Sequence, residues 1–453
     1  MENKKIGTTL LTGLITGSML GSGIIILPPL AYKTLGNYAI FTWIIIVILG
    51  ALFAKVFTNL SIQFPGDGGV SNAVESAFGS EFKKLTSYFL IFAVFTGPTA
   101  VMITAGEHLS NIYKFNHSIN IYALIFIIMC SFILLKNISS ISKVSLVLSV
   151  AVALILLIGS ITVLLGYTKD FVPQTLPTVN EFGKTILILF WAVVGWEVIG
   201  NYSNEVKDIK KTINRAVIFS FLLVNLVYFL VSLAMQTIDV SSLANTYNLD
   251  TSNISIILLP AFGKYAIPLM SFTTIALCIS TYILFVGSVA RLINSLAAEG
   301  NLPKLLSKKS ANNSPYTAII FLSSIHIFSL ILAIFGILNI EKIVSFANVF
   351  FICNALLGIL ASMKLYRTKS NFIITLILVI MLLLLLAFSS KLVLVVPVVL
   401  CGWSFWRTIK INSIVDAAQC AACAVTICAT LPRNSSSRSA GSMPVPASSV
   451  SYP

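Results

Sequence analysis

Leu20-Gly21-Ser22-Gly23-Ile24 interrupts the first apolar run of this chain, and Val194-Gly195-Trp196-Glu197 interrupts the sixth. A helix that crosses lipid must satisfy its backbone N–H and C=O groups internally. Glycines at mid-membrane depth cost helix stability and leave backbone groups unpaired. Such a break is tolerated where protein or a water-filled cavity covers it. Breaks at matching places in the two halves of a chain point to a transporter-type binding site.

The runs themselves reflect composition. Of 453 residues, 57% are hydrophobic and 10% charged, where a soluble domain carries roughly 25% charged residues. Twelve spans fall at about 7–31, 38–62, 84–110, 119–136, 144–166, 184–203, 213–236, 265–297, 316–337, 342–363, 371–389 and 391–408. With the N-terminus in the cytoplasm, 22 of the 29 lysines and arginines are cytoplasmic, and Lys33, Lys114, Lys169, Lys184, Lys264, Lys342 and Lys391 lie outside. This is the positive-inside pattern. It predicts a multi-pass protein of the cell membrane, embedded in a lipid bilayer, with both termini cytoplasmic. It also accounts for the net charge of +14 without a nucleic-acid partner. The first run comes after Met1-Glu2-Asn3-Lys4-Lys5, is too long for a signal-peptide core and lacks a small-residue cleavage site, so it reads as a retained span. Cys130, Cys278, Cys353 and Cys401 sit in apolar spans and read as small packing residues. Cys420-Ala421-Ala422-Cys423 has no second pair at zinc-like spacing, so no metal centre and no cofactor are expected.

Two loops on the side of the N-terminus have special content. Phe64-Pro65-Gly66-Asp67-Gly68-Gly69 precedes a short amphipathic stretch, Val70 to Phe78, that suits the membrane interface or a cap on the inner pathway. The stretch from Asn204 to Arg215 is dense in charge and reads either as a solvated connector or as part of a motif. After about Ile411 the composition turns from Ile, Leu, Lys and Asn to Ala, Cys, Ser and Pro. Residues 1–410 therefore read as one transmembrane domain, and 411–453 as a disordered tail, foreign in character to the rest of the chain.

These motifs carry a resemblance. Gly21-Ser22-Gly23-Ile24 followed by Pro28-Pro29 resembles the first helix of amino acid–polyamine–organocation (APC) permeases. The Phe64 to Val70 loop with Ala77-Phe78-Gly79 is similar to their loop between helices two and three. Phe190-Trp191-Ala192-Val193-Val194-Gly195-Trp196-Glu197, then Asn204-Glu205-Val206-Lys207-Asp208 and Arg215-Ala216, looks like their sixth helix and the loop after it. Gly287-Ser288-Val289-Ala290-Arg291 with Glu299-Gly300-Asn301-Leu302-Pro303-Lys304 resembles the end of their eighth, and Ser314-Pro315 opens the ninth. The likeness covers about residues 7–408 and is strongest to the bacterial branch that exports methionine and branched-chain amino acids. It implies an all-α membrane protein with a LeuT-like fold: a 5+5 inverted repeat over about 7–166 and 184–363, helices one and six broken near Gly23 and Gly195, and two further helices over about 371–408.

The substrate dictates the chemistry of such a site. An amino acid needs donors for its carboxylate and acceptors for its ammonium. The second half of span one, starting at Ser22, Gly23 and Ile24, offers free N–H groups and a positive dipole end. Gly21 and Gly23 let a ligand approach the backbone, unless they serve only helix packing. The first half of span six ends at Ala192 to Val194, whose free carbonyls suit an ammonium, with Gly195 at the break. By the resemblance, Trp191 is an aromatic lid over the substrate and Tyr282 aligns with a second aromatic gate. The alternative for both is core or interfacial packing. Glu197 sits just past the break, and an intramembrane carboxylate is a functional candidate by default. Its two readings are proton coupling or a structural hydrogen bond. Sodium-coupled relatives use paired hydroxyls on helix eight; Ser280 and Thr281 are a hydroxyl pair there, although helices also bury serine and threonine routinely. No lysine lies in Leu148 to Ala153 to stand in for sodium, so H+ and Na+ both remain as coupling ions, with protons favoured. His326, on an apolar helix, reads as a packed residue.

The expectation is a secondary transporter of neutral, hydrophobic amino acids working as a proton-coupled exporter or antiporter. The alternatives are an importer or exchanger of other amino acids, and a non-transporting amino acid receptor like the germinant-receptor subunits of the superfamily. No HExxH or GxSxG motif points to an enzyme.

Overall fold

Over the described residues, each of the twelve apolar runs is helical apart from its ends and turns at 21–22 and 193–195 in the computed structural model, which describes residues 5–113, 119–136, 138–169, 176–239, 254–338, 340–388, 393–404 and 406. Nine described stretches are long and apolar enough to cross a membrane, and the first, Thr8–Gln63, holds the first two spans. Two shorter apolar helices, Ile119–Leu134 and Val393–Ser404, take the fourth and twelfth places. Residues up to Ser404 form one compact unit. The tail and its Cys420 and Cys423 lie outside the described residues.

Boundaries depart from the apolar runs where polar residues are helical. The fifth span begins at Ile138 rather than about 144, because Ser139, Ser140 and Lys143 form its first turns. The third span, Ser80–Tyr113, runs helical through Pro98. Val70–Phe78 forms the separate short helix expected of an amphipathic stretch.

Burial sorts the spans into inner and outer. In the third and the eighth, 83% of the apolar stretch is buried; in the eleventh, only 22% is. Span eight (Ala266–Ala298) packs on the third and on the first half of span one, so the broken helices surround an interior helix rather than facing lipid. Large apolar side chains such as Phe132, Val147, Leu222 and Phe328 are exposed on the outer spans. In a bilayer they face acyl chains, which is why hydropathy alone finds the spans but does not say which lie inside.

A polar clasp closes the face that carries the N-terminus. Ile6 N–H donates to Glu205 O and Lys207 N–H donates to Ile6 O, both at 2.9 Å, so the lead into span one is paired with the segment after span six. Arg291, at the end of span eight, donates to both Glu205 carboxylate oxygens at 3.0 and 2.9 Å and to Gly287 O at 2.7 Å, and lies over the Tyr202 ring. Asp67 joins from the loop after span two: its carbonyl accepts from Asn201 at 2.8 Å and its carboxylate from Asn204 at 2.9 Å. The segment after Asn204 is therefore part of a motif and not only a solvated connector. On the opposite face, Lys169 N–H donates to Thr237 O and Asp239 N–H donates to Tyr167 O, pairing the ends of spans five and seven.

Candidate functional site

The first break is a turn between two helices of 13 residues each, Thr8–Leu20 and Gly23–Leu35. Its centre is Gly21-Ser22, earlier than the expected Gly23. Gly21 N–H still donates back to Gly17 O, but its φ of 45° and ψ of −160° take the chain out of the helix. A side chain there would sit 2.8 Å from Ser18 O and Thr281 Oγ1. Ser22 O accepts from Ile25 and Ile26 N–H. The amides of Gly23 and Ile24 open the second helix, where no earlier carbonyl of that helix can accept them.

The second break is tighter. Helix Val179–Leu189, started by a capping box between Thr178 and Glu181, narrows to a 3-10 turn at Phe190–Ala192. Gly195, at φ 131°, reverses the chain. Beyond it, Trp196–Glu205 is a 3-10 helix of ten residues rather than the α-helix that span six implies. Such runs rarely exceed four residues and mark strain or a hinge. The Glu197 carboxylate folds back to accept from Gly195 N–H at 2.9 Å. Its other oxygen, Oε1, is buried and has no hydrogen-bond partner among the described residues.

The two breaks meet at a cavity of only about 10 Å³, walled by Ser18, Met19, Gly21, Gly23, Trp191, Val194 and Phe285 among others. It is far below the roughly 300 Å³ at which small-molecule sites begin, so the breaks as they stand leave no room for an amino acid. Four of the eight residues expected to bind substrate, Gly21, Gly23, Trp191 and Val194, line it together, with Thr281 of the hydroxyl pair. Ala192 faces a second cavity of about 10 Å³, with Trp43 and Trp196. Ser22, Ile24 and Gly195 are buried but outside the first cavity's wall. Glu197 also lies off that wall.

Aromatic rings roof the space. Trp191 meets Phe351 edge-on at 6.4 Å between ring centres, and Phe351 meets Phe285 at 5.4 Å. Gly97 leaves room beside the Trp191 ring. Tyr282 does not face the cavity: its hydroxyl pairs with His326 Nδ1 at 2.9 Å, while His326 Nε2 reaches Val94 O at 2.7 Å. His326 is thus a packed residue with both ring nitrogens bonded. Phe285, one helical turn beyond Tyr282, is the ring of span eight that meets the site.

Three contributors were not singled out from the sequence. Tyr228 of span seven donates to Met19 O and Leu20 O at 3.3 and 3.1 Å, occupying the carbonyls that end the first half of span one. Phe285 and Phe351 are the others. All three sit in apolar helices where one more aromatic carries no local signal; only the break in span one could have prompted a search for a donor to its orphan carbonyls. Of the hydroxyl pair, Thr281 donates to Leu277 O at 2.9 Å and approaches Ser18 O at 3.4 Å. Ser280 Oγ is buried with no partner among the described residues, next to Gly17. The pair thus faces the last turn of the first half-helix, with oxygens of the kind hard cations prefer.

Comparison with known proteins agrees with this geometry. The profile of the family described as "Amino acid permease" matches residues 6–415. The L-methionine/branched-chain amino acid exporter YjeH of Escherichia coli (strain K12) is 24% identical over 367 residues, 79% of this chain and 85% of that protein. The cadaverine/lysine antiporter of the same organism is 25% identical over 330 residues, 69% of this chain and 71% of that protein. A solved structure of a Na+-coupled sialic acid symporter, in a substrate-bound outward-open state, superposes with a TM-score of 0.60 at 13% identity, covering 84% of this chain and 89% of its own. That likeness shows the fold, the LeuT-like arrangement implied by the motifs. The chain belongs to the amino acid permease family of the APC superfamily and is a secondary amino acid transporter.

Proposed function

We propose that this permease carries neutral, mainly apolar amino acids across the cell membrane, with both termini in the cytoplasm, and that it works as a proton-coupled exporter. The observation that carries the substrate class is the cavity between the breaks. Met19, Leu20, Trp191, Val194 and Phe285 line it, and among the described residues no charged side chain does. A cationic side chain would enter without a counter-charge, at a cost of several kcal/mol. The Gly23 and Ile24 amides suit the carboxylate. The Met19 and Leu20 carbonyls suit the ammonium once Tyr228 yields them. The Trp191–Phe351–Phe285 stack must part for the substrate to enter. Similarity to a methionine and branched-chain exporter supports both the apolar class and the direction.

Counterflow in proteoliposomes tests this. Vesicles preloaded with leucine or methionine should accumulate labelled leucine well above vesicles preloaded with lysine. Faster exchange with lysine or cadaverine would overturn the substrate class.

Glu197 Oε1 is the oxygen available to take a proton, since Oε2 is committed to Gly195 N–H. Glu197→Gln keeps size and one acceptor. Net flux driven by a proton gradient should collapse or lose its pH dependence, while substrate exchange at equal pH survives. An unchanged pH profile in the variant would end the coupling role and turn attention to Na+ at Ser280, Thr281 and Ser18 O.

A further inference from the structure

A far more spacious cavity lies away from the breaks. It opens on the face that carries the N-terminus and holds about 720 Å³, within the range of small-molecule sites. Its charge is lopsided. Two acids line it, but Lys309 stands 3.6 Å from Asp67 and Arg291 grips Glu205. Lys5, Lys136 and Lys143 remain on the wall with no ion pair among the described residues. Two helix N-termini open into the same space. The helix Ile138–Gly166 enters through Ser139 and Ser140, and the helix Tyr316–Ile334 through Pro315. Neither has an acidic residue in its first turn. Each adds the positive end of its dipole. Three lysines with no ion pair among the described residues share one concave space with two such ends, an arrangement that favours an anion there.

We propose that this cavity binds a multiply charged phosphate group, and that its occupancy holds this face of the transporter closed. The number of positive groups selects the class. An amino acid brings one carboxylate and an ammonium that this wall would repel. The ends of the chain outside the described residues supply little negative charge: Glu2 and Asp416 are their only acidic side chains. Closure rests on where the lysines sit. Lys5 adjoins Ile6, the residue paired with Glu205 and Lys207. Lys136 and Lys143 flank the start of span five. A phosphate between them ties the lead of span one to span five and adds to the clasp of Arg291 on Glu205. The same chemistry is offered by a soluble phosphate compound and by an anionic phospholipid headgroup.

The probe is inorganic tripolyphosphate, titrated into the purified full-length protein at constant ionic strength and read by calorimetry and thermal shift. Saturable binding is expected. Lys136→Gln with Lys143→Gln, both exposed at the helix start, should weaken it roughly tenfold or more without lowering the melting temperature of the ligand-free protein. The titration is repeated in nanodiscs of phosphatidylglycerol and of phosphatidylcholine. Equal affinity in both supports a soluble ligand; competition by phosphatidylglycerol alone supports a lipid headgroup. Absence of saturable binding, or equal affinity in the double variant, would overturn the site. Binding that leaves substrate exchange unslowed would overturn the closing role. Neither binding readout depends on which amino acid is carried.

Discussion

Gly195→Val should destabilise the protein by about 2–6 kcal/mol and abolish transport. Two effects add. The φ of 131° is open to glycine, and a β-branched residue held there costs about 1–3 kcal/mol. A Cβ would also sit 2.5 Å from Met19 Sδ and 3.6 Å from Phe285, and overpacking of a tight core costs about 1–3 kcal/mol more. Relief by rotating the backbone would pull Gly195 N–H from Glu197 and displace Val194 from the cavity wall. Gly300→Val is the control. Gly300 also has positive φ, at 80°, but a Cβ there meets nothing within 4 Å. It should lose the strain term alone and keep transport. Melting in detergent and counterflow read the two effects. If Gly195→Val melts with Gly300→Val and transports normally, the second break is not part of the site.

Arg291→Met should cost about 3 kcal/mol and loosen the face that carries the N-terminus. Arg291 is buried, whereas the Glu205 side chain is 21% exposed. The loss therefore falls at the lower end of the roughly 3–5 kcal/mol typical of breaking a buried pair. The variant leaves Glu205 without its partner and removes the cation over the Tyr202 ring. Arg291→Met combined with Glu205→Gln should recover most of the stability, because no unpaired charge remains. The latch stays broken, so this stable double variant should exchange substrate faster and concentrate it less. A double variant that is stable and transports like the parent would reduce the pair to a structural fastening. A single variant as stable as the parent would mean that solvent already carries most of the pair.

The fold was legible because lipid imposes simple local rules. Spans such as Ala39–Gln63 and Ile209–Thr237 announce themselves by length and apolarity, since their backbone groups can be satisfied only within the helix. The two breaks were legible for the same reason inverted: Gly21 and Gly195 take φ values that the sequence marks with glycine. Gly21, Gly23, Trp191 and Val194 of the cavity wall could be named because they lie next to those breaks. Tyr228, Phe285 and Phe351 could not. In a helix that is apolar all round, which side of the helix faces inward carries no periodic signal, so one aromatic looks like another. Tyr282 and Phe285 differ by a single turn, and only packing against His326 assigns the first to the scaffold.

Charge shows the same division. That Arg291 and Glu205 lie near one membrane face is set by their places at the ends of spans eight and six. That they form a bidentate pair, with Ile6 stitched alongside, depends on segments far apart in sequence being brought together. Membrane insertion, the run of spans, the places where helices break and the family are all written in the order of residues, because each rests on local hydropathy, backbone conformation or ordered motifs. Which rings close the site, which oxygen of Glu197 is left without a partner and which lysines share a cavity emerge only on folding, because those depend on helix rotation and long-range packing.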